Sequence, residues 1–528
     1  MMRLVQGVGR KWISTGAMVA GAGLAVGVAP STASAMRPLA GGMTRTDDRG
    51  TGSTGTTGTS AAASDAYRAY VASMRNGVAA TRTEVATSAV HDASAKTALI
   101  PAFARKYGLR CSACHTSWPE LNAFGQAFRD NGYQLMNDRD SPIWQNPSYF
   151  PISARITPQW HLETTNNQPV DITAGNPGNG QISRHVTADG FDLSGMDLWM
   201  AGTLYKNISF TLLASSDPFA SFHFEAAFVR FDNINDSPWL NAKFGRFETD
   251  NLISEKRFLF LSANGGIYQT YHFNPVGDAN DFGIGDNQLG FEVSGHNIGS
   301  YTRYSLAVYS SSEGNEGLVG GSTYDGMAAF SQAFPTKLGL ERVGVYGYLG
   351  ERSTVFPTSD GTVIPGDGQD AKPFYRVGAA GDLWLGKFEL LPFFLHGWDN
   401  VYLGTSTPVG DTLPTGAKGP TWNGGFLEAH YQANERFVAL ARYEVIRMST
   451  QALATSASNL GNIDAYSAGF RWAPFMFSRA GLAVHGEWSI TKNQGAVPLS
   501  GDGVGLPPLV PNSAVWSNSV LFALDFAF

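Results

Sequence analysis

From about Ser153 to the last residue, Phe528, apolar and polar residues alternate with a period of two, and this pattern constrains the chain most. In the final segment Val520, Phe522, Leu524, Phe526 and Phe528 share one apolar face. Leu521, Ala523, Asp525 and Ala527 form the smaller, less apolar face opposite. The same alternation sets Leu482, Val484, Trp488 and Ile490 against Ala483, His485, Glu487 and Ser489. It sets Phe437, Ala439, Ala441, Tyr443 and Val445 against Val438, Leu440, Arg442 and Glu444, and Tyr304, Leu306 and Val308 against Arg303, Ser305 and Ala307. Side chains two apart on a strand lie on the same face, so the pattern predicts strands with one apolar and one polar side. A soluble sandwich alternates in the same way, so other features have to separate it from a transmembrane barrel.

Three features favour the barrel. Aromatic residues such as Phe437, Tyr443, Trp472, Phe475 and Trp488 recur near strand ends, as interfacial girdles require. Short links such as 433–435 alternate with long Gly/Pro/Asp-rich ones at 351–371, 400–423 and 493–516, matching short periplasmic turns and long outer loops. The chain also ends in an aromatic strand like the closing strand of outer-membrane barrels. Counting the alternating runs predicts an all-β transmembrane barrel of about sixteen antiparallel strands over 153–528. In its first strand Ile156, Trp160 and Leu162 face outward, which turns Thr157, Gln159 and His161 to the lumen. Arg442, Glu444, Arg471, His485, Glu487, Glu428 and His430 then form a polar inner wall, to which no catalysis is assigned.

Composition agrees. Charged residues make up 15% and aromatics 12%, with a mean hydropathy of −0.13. Disorder needs more charge and fewer aromatics, and a helical membrane protein needs repeated apolar runs of about twenty residues. The net charge of −7 gives no reason to expect nucleic acid as a partner.

The N-terminus reads as an export signal over 1–35. Arg3, Arg10 and Lys11 precede an uncharged stretch from Trp12 to Val28, and Ala33-Ser34-Ala35 supplies a cleavage site. The competing reading is a membrane-anchoring helix. Residues 36–100 form a flexible low-complexity linker, in which Tyr67, Tyr70, Val71, Met74 and Val78 mark one face of a short helix.

Residues 101–152 carry the chemistry. The two cysteines stand in Cys111-Ser112-Ala113-Cys114-His115, the C-x-x-C-H attachment motif of c-type haem. One helical turn presents both thiols to the two vinyl groups of one porphyrin, and His115 follows as proximal iron ligand. A redox dithiol or a short disulfide are the competing readings; export and the lack of a surrounding βαβ pattern favour haem. Ser117 and Glu120 form a capping box for a following helix, Pro119 lies in its first turn, and Asn131-Gly132 stops it. On that helix Leu121, Phe124, Gly125 and Phe128 share a face that can cover a porphyrin or pack on ordinary core. Met136 and His161 are the leading candidates for the sixth ligand, with His91 and Met74 behind them. Arg105, Lys106, Arg110, Arg129 and Arg139 can pair with lumen carboxylates, making 101–152 the expected filler of the barrel. Two acidic groups, Asp278, Asp281 and Asp286, and Asp360, Asp367 and Asp370, are read as solvated loop residues.

The stretch from Pro101 to Tyr133 resembles the haem segment of fused monohaem cytochrome–porins, outer-membrane proteins best known from iron-oxidising bacteria. The similar elements are Phe103-Ala104-Arg105, Cys111, Cys114 and His115, Pro119-Glu120-Leu121, Phe124-Gly125, Phe128 and Gly132-Tyr133. The barrel matches only as architecture, and the stretch between signal and haem segment is longer than expected of that family. The resemblance implies an outer-membrane electron conduit with one covalent haem c plugging a porin-like barrel. Its partners would be a periplasmic carrier such as a c-type cytochrome and an extracellular redox partner, with Fe²⁺ the leading donor, as in an iron(II):cytochrome c oxidoreductase. The alternatives are a passive porin that carries a haem and a soluble periplasmic haem protein.

Overall fold

The computed structural model describes residues 111–134 except 118, then 151–171, 181–216, 222–250, 287–310, 324–353, 371–398, 421–448, 462–476, 481–494 and 514–527. It also describes the single positions 103, 106, 143, 259–260, 268–271 and 284. The leader, the linker helix, His91, Met136, both acidic groups and Phe528 lie outside the described residues.

Sixteen strands close into one antiparallel barrel, each paired with its sequence neighbours and β1 with β16. They are β1 (Ile152–Asp171), β2 (Gln181–Tyr205), β3 (Ile208–Ser216), β4 (His223–Phe231), β5 (Asn241–Glu248), β6 (Asn287–His296), β7 (Thr302–Ser310) and β8 (Tyr324–Pro335). The circuit continues with β9 (Leu340–Ser353), β10 (Ala371–Leu385), β11 (Phe388–Trp398), β12 (Thr421–Asn434), β13 (Phe437–Met448), β14 (Asn462–Met476), β15 (Gly481–Gln494) and β16 (Ala514–Ala527). The even number brings the first and last strands side by side and antiparallel. Trp160 registers with Phe522 across that closing seam, and their rings stack at 6.2 Å. Pro158, which cannot donate to a ladder, sits where the β1–β2 register shifts between Ile156 and Pro158.

The two faces divide as the alternation predicts. Leu306, Val308, Tyr443, Trp488, Phe522, Leu524 and Phe526 are exposed on the outside, whereas Arg303, Ser305, Arg442, Glu444, His485, Glu487, Leu521 and Asp525 are buried inside. Toward the strand ends, outer aromatics pair across strands: Phe388 with Tyr431 at 4.8 Å, and Tyr375 with Trp398 at 6.4 Å. A closed barrel with an apolar outer face and aromatic borders is the form in which strands cross a lipid bilayer, because closure leaves no unpaired edge. Among the described residues no helix is long and apolar enough to cross one. Short connections, such as 386–387 and 435–436, lie at one end, which faces the periplasm in bacterial barrels; the strand ends Ser353 and Ala371, and Trp398 and Thr421, lie at the other.

Candidate functional site at the short-turn end of the lumen

The C-x-x-C-H residues form one helical turn, α1 (Cys111–Cys114), closed by the His115 N–H donating to the Cys111 carbonyl at 3.0 Å. Both cysteines are half-buried and not joined to each other. The chain then turns back on itself. His115 pairs with Leu121 as a short antiparallel bridge, and the Glu120 N–H donates to Ser117 O at 2.7 Å. Helix α2 (Ala123–Asp130) follows.

The capping expected from Ser117 and Glu120 is not the one present. Asn122 caps α2, its side-chain oxygen accepting from the Gly125 N–H at 2.9 Å, because the turn at 117–120 delays the helix start. Asn122 also ties α2 to α1: its backbone N–H donates to Cys114 O at 3.0 Å and its Nδ2 to Ala113 O at 3.1 Å. At the far end the Asn131-Gly132 stop holds. Gly132 has φ +75°, the Tyr133 N–H reaches back to Phe128 O at 3.0 Å, and the Gly132 N–H to Arg129 O at 3.2 Å. This is a Schellman ending, completed by the contact of the Phe128 and Tyr133 rings at 6.2 Å.

His115 is held by its own loop. Its Nδ1 lies 3.1 Å from Pro119 O and 3.2 Å from Glu120 O, so the proton resides on Nδ1 and Nε2 keeps its lone pair. Burial lowers the imidazole's pKa from its ordinary value; the two carbonyls and Glu120 act in the opposite direction, and Arg471 adds to the lowering. The ring is thus held in the neutral form that ligates metals. Burial raises the Cys111 thiol, and burial together with Cys111 pushes Cys114 up to about 12.

The face expected to cover a porphyrin is divided. Gly125 packs on the peptide of Cys114, and Phe128 meets Phe103 edge-on at 5.1 Å while Phe103 stacks on Tyr133 at 5.0 Å. Leu121 and Phe124 remain half-buried beside the motif.

The segment meets the inner wall at the short-turn end. Arg303 on β7 binds Asp130 at 2.8 Å and Asp250 at 3.0 Å, and Arg129 reaches Asp250 at 3.3 Å. Arg230 donates to the Arg129 and Asp130 carbonyls at 2.8 and 3.2 Å, covering the C-terminal end of α2. Gln134 donates to Lys206 O at 2.9 Å, Tyr133 hydroxyl meets Thr211 at 3.0 Å, and Ser117 donates to Gln432 at 3.2 Å. Burial alone would raise the carboxyls of Asp130 and Asp250. Arg303 and Arg129 outweigh it, holding Asp130 well below the usual carboxylate range and Asp250 at about 2.

His161 is on the inner face of β1, opposite Leu521, and its Nε2 meets Ser519 Oγ at 2.7 Å. The expected polar wall is present and deeply buried: Glu428, His430, Arg442, Glu444, Arg471, His485 and Glu487 are each no more than 4% exposed.

A second occupant of the interior was not expected. Described residues of the connection between β5 and β6 lie inside, where the Gln269 and Thr270 N–H groups donate to Glu444 at 2.9 and 2.6 Å. Tyr268 donates to Glu428 at 2.7 Å, and its ring lies 3.7 Å from the Arg442 guanidinium. Leu259, Phe260, Tyr271 and Ile284 join Phe393, Phe426 and Tyr346 in an apolar cluster within the barrel. The signal for it is the apolar and aromatic content of 258–273, out of place in a solvated loop.

No protein-family model and no curated protein matches the chain. Among solved structures it is similar to the outer membrane channel DcaP of Acinetobacter baumannii, at 10% identity and TM-score 0.44 over 71% of this chain and 97% of that one. It is also similar to the anion-selective porin from Comamonas acidovorans, at 12% identity and TM-score 0.43 over 71% of this chain and 99% of that one. A third is Salmonella typhi OmpF in complex with daunomycin, at 11% identity and TM-score 0.40 over 74% of this chain and all of that one. The likeness is one of barrel architecture.

Proposed function

We propose that this protein is an outer-membrane electron conduit whose N-terminal segment holds one c-type haem and plugs a porin-like barrel. The observation that carries the reading is the setting of His115. Its Nδ1 is committed to the Pro119 and Glu120 carbonyls, which leaves Nε2 as a donor one residue beyond two thiols on a single helical turn. That donor set fits a c-type haem: Cys111 and Cys114 would hold it covalently and His115 would ligate the iron. When bound, such a haem supplies one-electron transfer at its iron. Leu121 and Phe124, half-buried beside the motif, would help keep water from a haem held there, and the Arg303–Asp130–Asp250 cluster anchors the segment to the wall. Its place at the short-turn end suits exchange with a soluble periplasmic carrier. The long-loop end is left to an extracellular partner, for which Fe²⁺ is the leading donor by resemblance to the cytochrome–porins.

The second reading is a passive porin, and the sixteen-strand barrel itself favours it. The buried inner wall and the inward-reaching residues 268–271 count against free passage of solutes.

Expression with c-type maturation, denaturing electrophoresis and haem staining tests the cofactor. A haem-free band at the mature mass overturns the reading. Stopped-flow mixing of the oxidised protein with Fe²⁺, beside a redox titration, tests the donor. Rapid reduction supports Fe²⁺, and no reduction at a permissive potential excludes it.

A further inference from the structure

Where α1 and α2 face the wall, one side chain of the loop between them meets two from the barrel. Glu120, Glu389 on β11 and His430 on β12 bring one ligand atom each to within 4.8 Å of one another. His430 Nδ1 lies 2.9 Å from Glu389 Oε2 and 3.6 Å from Glu120 Oε2. Glu389 and His430 are each 1% exposed, and Glu120 is the member that solvent reaches.

Two further observations make this more than a group of carboxylates. First, the far side of the imidazole is already provided for. His430 Nε2 lies 2.6 Å from Glu428 Oε1, and Glu428 is fixed by the Tyr268 hydroxyl at 2.7 Å. Both ring nitrogens meet carboxylates, Nε2 Glu428 and Nδ1 Glu389; when a cation displaces the proton on Nδ1, Glu428 keeps the proton on Nε2, the usual support of a metal-bound histidine. Second, acceptors are left over. Glu120 Oε2 and Asp382 Oδ1 are buried without a hydrogen-bond partner, and Asp382 lies against Glu389. A buried carboxylate oxygen without a donor is costly, and a cation held by Glu120, Glu389 and His430 satisfies Glu120 Oε2.

We infer that Glu120, Glu389 and His430 bind one divalent first-row transition-metal ion, with Glu428 orienting the imidazole. The imidazole nitrogen selects this class over Mg²⁺ or Ca²⁺, which favour all-oxygen sites. The ion enters from the short-turn end past Glu120 and pins the 115–120 loop to β11 and β12. Because Glu120 also offers its carbonyl to His115, the clamp fixes the histidine's loop as well. Every ligand is a side chain of this chain, so the site does not depend on haem.

The test is equilibrium dialysis of the full-length, chelator-stripped protein in detergent against Zn²⁺, with bound metal counted by elemental analysis. One tightly held ion per chain is expected. His430→Ala and Glu120→Gln should each weaken binding at least tenfold, while His223→Ala, at an exposed position on β4, should not. Glu120 lies outside the strands, so Glu120→Gln serves even if His430→Ala upsets the barrel, and heat-modifiable migration reports folding of each variant. No ion held at micromolar Zn²⁺, or equal binding by native and Glu120→Gln protein, overturns the proposal. Haem staining of the same samples reports separately on the cofactor.

Discussion

Gly125 of α2 rests directly on the peptide of Cys114, so that a methyl group at position 125 would sit inside contact distance of the Cys114 carbonyl oxygen. The obstacle is backbone, tied also to the Asn122 N–H, and cannot rotate away. Gly125→Ala therefore has to part α2 from α1, at a cost of about 1–3 kcal/mol typical of overpacking. Covalent haem incorporation, read by haem staining against total protein, should fall markedly in Gly125→Ala. It should stay near native in Ala127→Gly, a change on the same helix.

Arg303 on β7 joins α2 to the wall through Asp130 and also binds Asp250, which Arg129 of α2 reaches as well. Removing it leaves both buried without their principal counter-charge. Breaking such a pair costs about 3–5 kcal/mol, more than the pair contributes relative to an apolar replacement. Arg303→Gln should expose 111–134 to limited proteolysis while leaving the barrel's heat-modifiable migration intact. Asp130→Asn should show a smaller effect, because Asp250 still pairs with Arg303.

The same cluster sets a pH dependence. Asp250 titrates at about 2 in the folded protein, below its ordinary value, and Asp130 is also depressed. A carboxyl depressed by folding contributes stability that is complete above the unfolded pKa, near 4, and is lost as pH falls through the folded one. For Asp250 the contribution amounts to roughly 2 kcal/mol. Amide exchange of 119–134, corrected for intrinsic rates, should accelerate as pH drops from about 4 toward 2. Arg303→Gln should weaken that dependence, with Arg129 still acting on both carboxyls.

Much of the barrel was legible because its physics is local. Alternation assigns each side chain to lipid or lumen one residue at a time, so Phe522 and Asp525 could be placed without knowing their neighbours. The Gly132 stop was legible for the same reason, since a left-handed residue after a helix favours glycine. Where several capping side chains compete, local rules failed: Ser117 and Glu120 satisfy the capping pattern, yet Asn122 wins because it serves α1 and α2 together. The Glu120–Glu389–His430 cluster was invisible because its members come from a loop and two strands separated by long stretches of chain. Their meeting depends on where the loop docks, which no spacing encodes.

Lumen filling supplies the last prediction, and it has two parts because two segments reach inside. The intact protein should show low conductance in planar bilayers. Deleting 101–150 should raise it only in part, since Gln269 and Thr270 stay bonded to Glu444 and Tyr268 to Glu428. Adding Glu444→Ala removes the acceptor of two backbone N–H groups, at about 1–3 kcal/mol for the donors left unpaired. That combination should raise conductance further and add open-state fluctuations as residues 268–271 leave the wall. Glu444→Ala alone, with 101–150 in place, should change conductance little. A large, steady conductance of the native protein would instead mean that solutes pass both segments freely, and the passive-porin reading would take precedence.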